Sequence, residues 1–233
     1  MKFALLTEDI TDTAGNRGKA NFTYLAHGKA LISVPIIHQK MRFIFSNRGF
    51  TVNYGHKIKA IDHGKKILTF KTPDGDQELG YDFTQVVPPQ RAPDPVVNSP
   101  LPFLDKKIGE GWVDVKKGNL QHKRYPEVYA IGDIAGVPKG KTAASVKWQA
   151  PVIEDHLVAH IQGKEGTQVY NGYTSCPMIT RVGKAMLIEF DYRNFLVPSF
   201  PGIIAPLEEG WIPWLMKEVA FKATYHSMLQ GKV

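Results

Sequence analysis

Six prolines fall within 15 residues of this chain, at positions 88, 89, 93, 95, 100 and 102. Proline lacks a backbone N–H and holds φ at about −65°, so neither a helix interior nor a central strand can run through that stretch. It therefore reads as a crossover or linker with separate groups of elements on either side. On the N-terminal side, residues 1–14 read as the end of a helix that Gly15 stops, residues 20–25 as a strand, residues 35–48 as a helix and residues 50–54 as a second strand. Pro35 stands in the helix's first turn and Gly49 just after its end, so strand, helix and strand form one βαβ unit of a parallel sheet. Between residues 57 and 79 the pattern changes to period-two alternation broken by Pro73-Asp74-Gly75, which predicts a small antiparallel meander, and residues 83–87 form a short apolar run before the prolines.

On the C-terminal side, residues 111–115 (GWVDV) and 127–131 (EVYAI) read as strands, and residues 142–161 as a helix that Pro151 should kink. A hairpin over residues 179–190 should turn at Gly183-Lys184. The fold class is α/β. At 233 residues, 43% hydrophobic and 22% charged, the chain suits one large or two small folded domains and excludes disordered or collagen-like classes. A net charge of +7 favours acidic surfaces or anionic ligands in general, and nothing points to nucleic acid.

Cys176 is the one cysteine, which excludes an internal disulfide and a zinc site built on several cysteines. The opening MKFALLTEDI is too short in apolar residues for a signal peptide. The longest uncharged stretch, residues 194–207, has 14 residues and three prolines. Crossing a bilayer takes about 20 apolar residues, so no span is expected.

The densest chemistry lies in residues 129–146 (YAIGDIAGVPKGKTAASV). A buried strand should deliver Gly132 and Asp133 to the carboxyl end of a sheet, where loops and a helix N-terminus receive ligands. Gly132 permits close backbone approach, and Asp133 can accept hydrogen bonds from a polyol or ribose, or simply cap a turn. Three residues separate Gly136 from Gly140-Lys141-Thr142 where a Walker loop needs four, so an ATPase is rejected. Lys141 would place a positive charge beside an electron-rich group, or be solvated. Cys176 sits in Tyr173-Thr174-Ser175-Cys176-Pro177, whose hydroxyls could stabilise a thiolate; an inert, buried cysteine is the plainer reading. Residues 211–229 carry Trp, Met, Phe and Tyr around most of a helical wheel, which fits either core packing or a helix lying in a membrane interface. Of eight histidines only His156 and His160 have i, i+4 spacing; without an HExxH frame they read as helix surface, and no metal site is expected.

Three motifs in order carry a resemblance: residues 120–133 (LQHKRYPEVYAIGD), then Lys141-Thr142-Ala143-Ala144, then residues 170–177 (YNGYTSCP). Together they resemble the sulfide:quinone oxidoreductases, flavoproteins with two dinucleotide-binding domains, over residues 19–192. The resemblance implies a Rossmann-like FAD/NAD(P)-binding fold. In it residues 1–92 finish the second, NAD-like domain, residues 93–165 return to the FAD domain, and residues 166–233 hold the redox cysteine and the membrane and quinone contact. By the same resemblance Gly132 and Asp133 match the second flavin motif, with the aspartate on the ribityl chain of FAD. Lys141 and Thr142 would lie near the pyrimidine edge of the flavin, and Cys176 would be the sulfur-carrying cysteine of a redox pair. Sulfide would attack a cysteine disulfide or sulfur bridge, leave a persulfide, and send two electrons through FAD to quinone.

The family's N-terminal βαβ unit with G-x-G-x-x-G and its other redox cysteine do not occur in these residues, and about half of a member's length is expected to be missing. The implied protein is a peripheral membrane flavoenzyme on the cytoplasmic side, truncated and inactive alone. A non-catalytic remnant or partner subunit that keeps the fold and membrane contact is the alternative; a nicotinamide-driven flavoenzyme of the same group has no need of the cysteine motif.

Overall fold

In the computed structural model, residues 1–105 and 111–232 are described. They fall into two compact units, one of residues 1–88 with residues 179–182, the other of residues 89–178 with the chain from 183 onward.

The first unit contains the βαβ element. Strands β1 (Thr23–Ala26) and β2 (Thr51–Tyr54) pair in parallel, Thr23 opposite Thr51, and helices α1 (Lys2–Thr13) and α2 (Pro35–Asn47) belong to the same unit. Apolar residues at helical spacing set the buried face of α2: Ile37, Met41, Ile44 and Phe45 are buried, with Pro35 in the first turn. Phe45 is the centre of an aromatic cluster, 5.2 Å edge-on from Tyr24 and 4.7 Å from Phe50. The helix stops at Gly49, whose φ of 65° lets its N–H reach Ser46 and the Phe50 N–H reach Phe45, a left-handed turn that an L side chain resists. The antiparallel meander follows as β3 (Lys57–Asp62), β4 (Ile67–Thr72) and β5 (Gly75–Gly80), in that spatial order. Buried Glu8 is flanked by Arg17 at 3.2 Å and Arg48 at 3.5 Å, and Arg48 also donates to the Thr180 carbonyl. Asp9 accepts from the Val182 N–H at 2.9 Å. These charged bonds hold residues 179–182 within the first unit, and they offset the desolvation that burial of Glu8 entails.

In the second unit the proline-rich stretch is partly structured. Residues Asp94–Val97 form the short helix α3, and the carbonyls of Pro100 and Pro102 accept from Arg124 at 2.6 and 2.7 Å. His122 completes the anchorage. Its Nδ1 accepts from the N–H groups of Arg124 (3.0 Å) and Tyr125 (2.9 Å), so the proton sits on Nε2 and is donated to Leu101 at 2.9 Å.

The strands expected over 111–115 and 127–131 are extended and place Val113, Val115 and Ala130 in the core, yet they pair only through isolated bridges. Val113 bridges Pro102 and Ala135, Val115 bridges His122, and Gln121 bridges Tyr129. Prolines on one side and the positive φ of Gly132 on the other cut each ladder short. Helix α4 (Ala143–Ile161) contains Pro151, which leaves the Lys147 carbonyl without its helical donor. Four short strands follow: β6 (Thr174–Ser175), β7 (Met178–Arg181), β8 (Lys184–Met186) and β9 (Glu189–Phe190). The turn before β8 falls at Val182-Gly183, one residue earlier than expected, because Gly183 takes the positive φ of 79°. The chain ends in α5 (Trp211–Leu215), a π turn (Met216–Ala220) and α6 (Phe221–Leu229), which run on without leaving helical dihedrals.

Candidate functional site

All five residues singled out in the sequence lie in the second unit. Gly132 begins a short 3₁₀ turn, Gly132–Ile134, at φ 71°, and a Cβ there would come within 3.2 Å of Val146. Its buried N–H donates to Oε1 of Gln149 at 2.8 Å, while Nε2 of Gln149 donates to the Gly140 carbonyl at 3.3 Å. Gln149 is fully buried on α4, so one side-chain amide fixes both ends of the loop from 132 to 140.

Asp133 is exposed and takes no part in capping, which leaves its carboxylate facing solvent. Thr142 is the N-cap of α4. Its Oγ1 accepts from the Ser145 N–H at 3.2 Å and donates to Ser145 Oγ at 2.9 Å, whose own proton goes to the Tyr173 carbonyl at 2.9 Å. Lys141 folds back on its own loop. Its ammonium donates to the carbonyls of Asp133 and, at 3.2 Å, Ala135, and it stands 3.8 Å from the ring centroid of Trp112. Burial pushes its pKa below the ordinary lysine value, with the Asp133 charge opposing.

The Ser145–Tyr173 bond brings the cysteine motif to the same helix end. Tyr173 also accepts from the Tyr170 hydroxyl at 2.6 Å, and Trp148 packs 5.4 Å from its ring. Strand β6 pairs antiparallel with β9, Ser175 opposite Glu189, and the Cys176 N–H extends the ladder by donating to Ile188 at 2.8 Å. Cys176 itself is half-buried. The hydroxyls expected to support its thiolate are engaged elsewhere: Tyr173 donates to Glu189, and Thr174 donates to the Gly172 carbonyl at 3.1 Å.

Sequence reading missed Gln149, Ser145, Trp112 and Glu189. The first two had a signal, since Ser145, Gln149 and Val152 recur at i, i+4, i+7 and mark a buried stripe that includes polar groups. Trp112 and Glu189 had none, because their partners are distant in sequence.

Two concavities lie elsewhere. A shallow groove of about 580 Å³ follows the C-terminal half of α4, from Pro151 to Gln162, at the other end of that helix from Thr142. An apolar depression of about 220 Å³ is lined chiefly by Ile203, Ile204, Ala205, Trp211, Ile212 and Pro213. Among the described residues no group of three His, Cys, Asp or Glu side chains could hold a metal, and no helix is long and apolar enough to cross a membrane.

No protein-family model matches the chain. It is 32% identical over 232 residues to the mitochondrial sulfide:quinone oxidoreductase of Dictyostelium discoideum, covering 99% of this chain and 50% of that protein. Among solved structures it is similar to the sulfide:quinone oxidoreductase of Aquifex aeolicus, with a TM-score of 0.74 at 16% identity over 99% of this chain and 55% of the other. A chain of the Tetrahymena thermophila mitochondrial ATP synthase also shares the fold, with a TM-score of 0.80 at 19% identity over 98% of this chain and 55% of the other. The chain thus spans about half the length of the curated relative it matches. Its fold is the FAD-binding, Rossmann-like α/β fold of the flavoproteins with two dinucleotide-binding domains, present in part. With this identity sustained across nearly all of its residues, the chain belongs to the sulfide:quinone oxidoreductase family.

Proposed function

We propose that this chain is the part of a sulfide:quinone oxidoreductase that closes the flavin site, carries sulfur on Cys176 and meets quinone at a membrane surface. Residues 1–92 then belong to the NAD-like domain, residues 93–165 to the FAD domain, and residues 166–233 to the cysteine and membrane region. The observation that supports this most is a similarity running through 232 residues, so that the glycine-aspartate turn, the Lys141-Thr142 loop end and the Cys176 motif all fall inside it.

The local chemistry suits FAD. The exposed carboxylate of Asp133 can accept hydrogen bonds from the hydroxyls of a polyol chain, and Gly132 keeps the turn narrow beside it. The first-turn N–H groups of α4 have no helical acceptors and favour an electron-rich ring edge, with Thr142 holding the cap. Lys141 would add its charge there by leaving Trp112 and the two loop carbonyls. Sulfide loses two electrons on becoming sulfane sulfur and a quinone takes up two, so the reaction needs the two-electron carrier that bound FAD supplies. Cys176 would hold the sulfane sulfur as a persulfide. Since it is the one cysteine in 233 residues, its sulfur partner must come from outside them.

The test is a visible spectrum of the purified chain after incubation with FAD and removal of the excess. A yellow protein, bleached by sulfide without oxygen and recoloured by a short-chain ubiquinone, is the expected result. A colourless protein supports the other reading, a non-catalytic module that keeps the fold.

The C-terminal segment suits a lipid surface. Trp211, Ile212, Leu215, Val219, Tyr225 and Leu229 are exposed along it, and Lys217 and Lys222 interrupt them. The 220 Å³ depression at the start of this segment is apolar enough for a quinone ring. Vesicles containing anionic lipid should bind the chain. Changing Trp211 and Leu215 to serine should weaken that binding at least about tenfold, because each such side chain gives up roughly 1.5–3 kcal/mol of burial. Unchanged sedimentation with vesicles would remove the segment from the membrane contact.

A further inference from the structure

Glu189 is a carboxylate only 4% exposed on β9, and among the described residues no cation stands beside it. Its charge is met by donors instead. The Tyr173 hydroxyl and Ser199 Oγ (2.5 Å) donate to Oε1, and the Ser199 N–H (2.9 Å) donates to Oε2. The Tyr173 hydroxyl is pushed up to about 12 by burial and by its bond to Glu189, so it remains a donor throughout the physiological range.

Tyr173 is equally constrained along its backbone. Its carbonyl accepts from Ser145 (2.9 Å) and Tyr170 (2.6 Å), and its N–H donates to Asn171 (2.9 Å). Residue 173 is thus fastened to the N-terminus of α4 through its main chain and to β9 through its side chain, three positions before Cys176.

The β6–β9 register decides what this cluster can do. Ser175 lies opposite Glu189, and side chains alternate along a strand, so Tyr173, Ser175 and Glu189 share one face while Cys176 belongs to the other. The carboxylate therefore cannot serve the sulfur as a base or a charge partner. We propose that Tyr173, Glu189 and Ser199 form a positioning device that sets the strand bearing Cys176 against the N-terminus of α4. The catalytic meaning of that position rests on Cys176 being the sulfur carrier; the position itself does not.

Alkylation of native Cys176 by iodoacetamide tests the device without sulfide, FAD or quinone. It keeps failure of this inference separate from failure of the sulfur reading, and a single cysteine makes the signal unambiguous. Losing a hydrogen bond to a buried charge should release the strand, so Tyr173→Phe and Glu189→Leu are expected to speed alkylation by about fivefold or more. Glu189→Gln keeps an acceptor for both partners and should stay within about twofold of the parent. Val152→Ala is the control, because it loosens the same unit's core at a residue outside the cluster and should stay within about twofold even at an equal loss of Tm. The proposal is overturned if Tyr173→Phe, which removes a single oxygen, leaves the rate within about twofold, or if Val152→Ala accelerates it as much at matched stability.

Discussion

Changing Cys176 to serine is expected to remove all sulfane sulfur from the protein. The measurement is direct: incubate the chain with inorganic polysulfide, separate it from the excess, and release bound sulfane sulfur as thiocyanate with cyanide. The Cys176 thiolate attacks a sulfane atom of the polysulfide, the S–S bond breaks, and the shorter polysulfide leaves with the electron pair, so a persulfide forms without any external oxidant. One cysteine sets the ceiling at about one sulfur per chain, and the serine variant should carry none. Serine is close in volume to cysteine, and the Cys176 backbone bond to Ile188 is unaffected by the change, so the fold should survive. A serine variant that retained labile sulfur would exclude Cys176 as the carrier. So would a parent chain that takes up none while its thiol still reacts with iodoacetamide.

The polysulfide result would also show how far local sequence carries function. The βαβ unit, the meander and α4 are legible because each is written in local terms: helical spacing of Ile37, Met41, Ile44 and Phe45, alternation through residues 57–79, and Thr142 at the start of an apolar run. The strands around Val113 and Tyr129 were legible as buried, extended segments but not as isolated bridges. What ends a ladder there is the backbone of Pro102 and Gly132, not the apolar pattern.

The same division holds in the site. Gly132, Asp133, Lys141, Thr142 and Cys176 stand in motifs and could be found by reading. Their surroundings could not, because Lys141 meets Trp112 across 29 positions and Tyr173 meets Glu189 across 16. The hydroxyl pattern of residues 173–175 suggested support for a thiolate. A strand turns alternate side chains to opposite faces, and pairing with β9 sends Tyr173 to Glu189 instead.

Gln149→Leu is expected to produce the largest stability loss among changes near the flavin loop. Leucine nearly conserves volume, so packing against Val152 and its neighbours is not the issue. The amide is. Removing it strands the Gly132 N–H, now held at 2.8 Å, and the Gly140 carbonyl, now held at 3.3 Å, in a place that water does not reach. A buried polar group left unpaired costs roughly 1–3 kcal/mol, so the two together should cost roughly 2–6 kcal/mol, read as a lower urea midpoint of the unit that contains α4. The longer 3.3 Å bond is the weaker of the two, which places the expected value in the lower half of that range. The same change frees both ends of the loop that presents Asp133, and any FAD bound there should be lost faster than from the parent. Glu208→Gln, a substitution outside this loop, is the comparison for the FAD measurement and should leave retention unchanged. If Gln149→Leu unfolds at the parent's midpoint, then the Gly132 turn holds its shape without α4, and the account of how this helix builds the site is wrong.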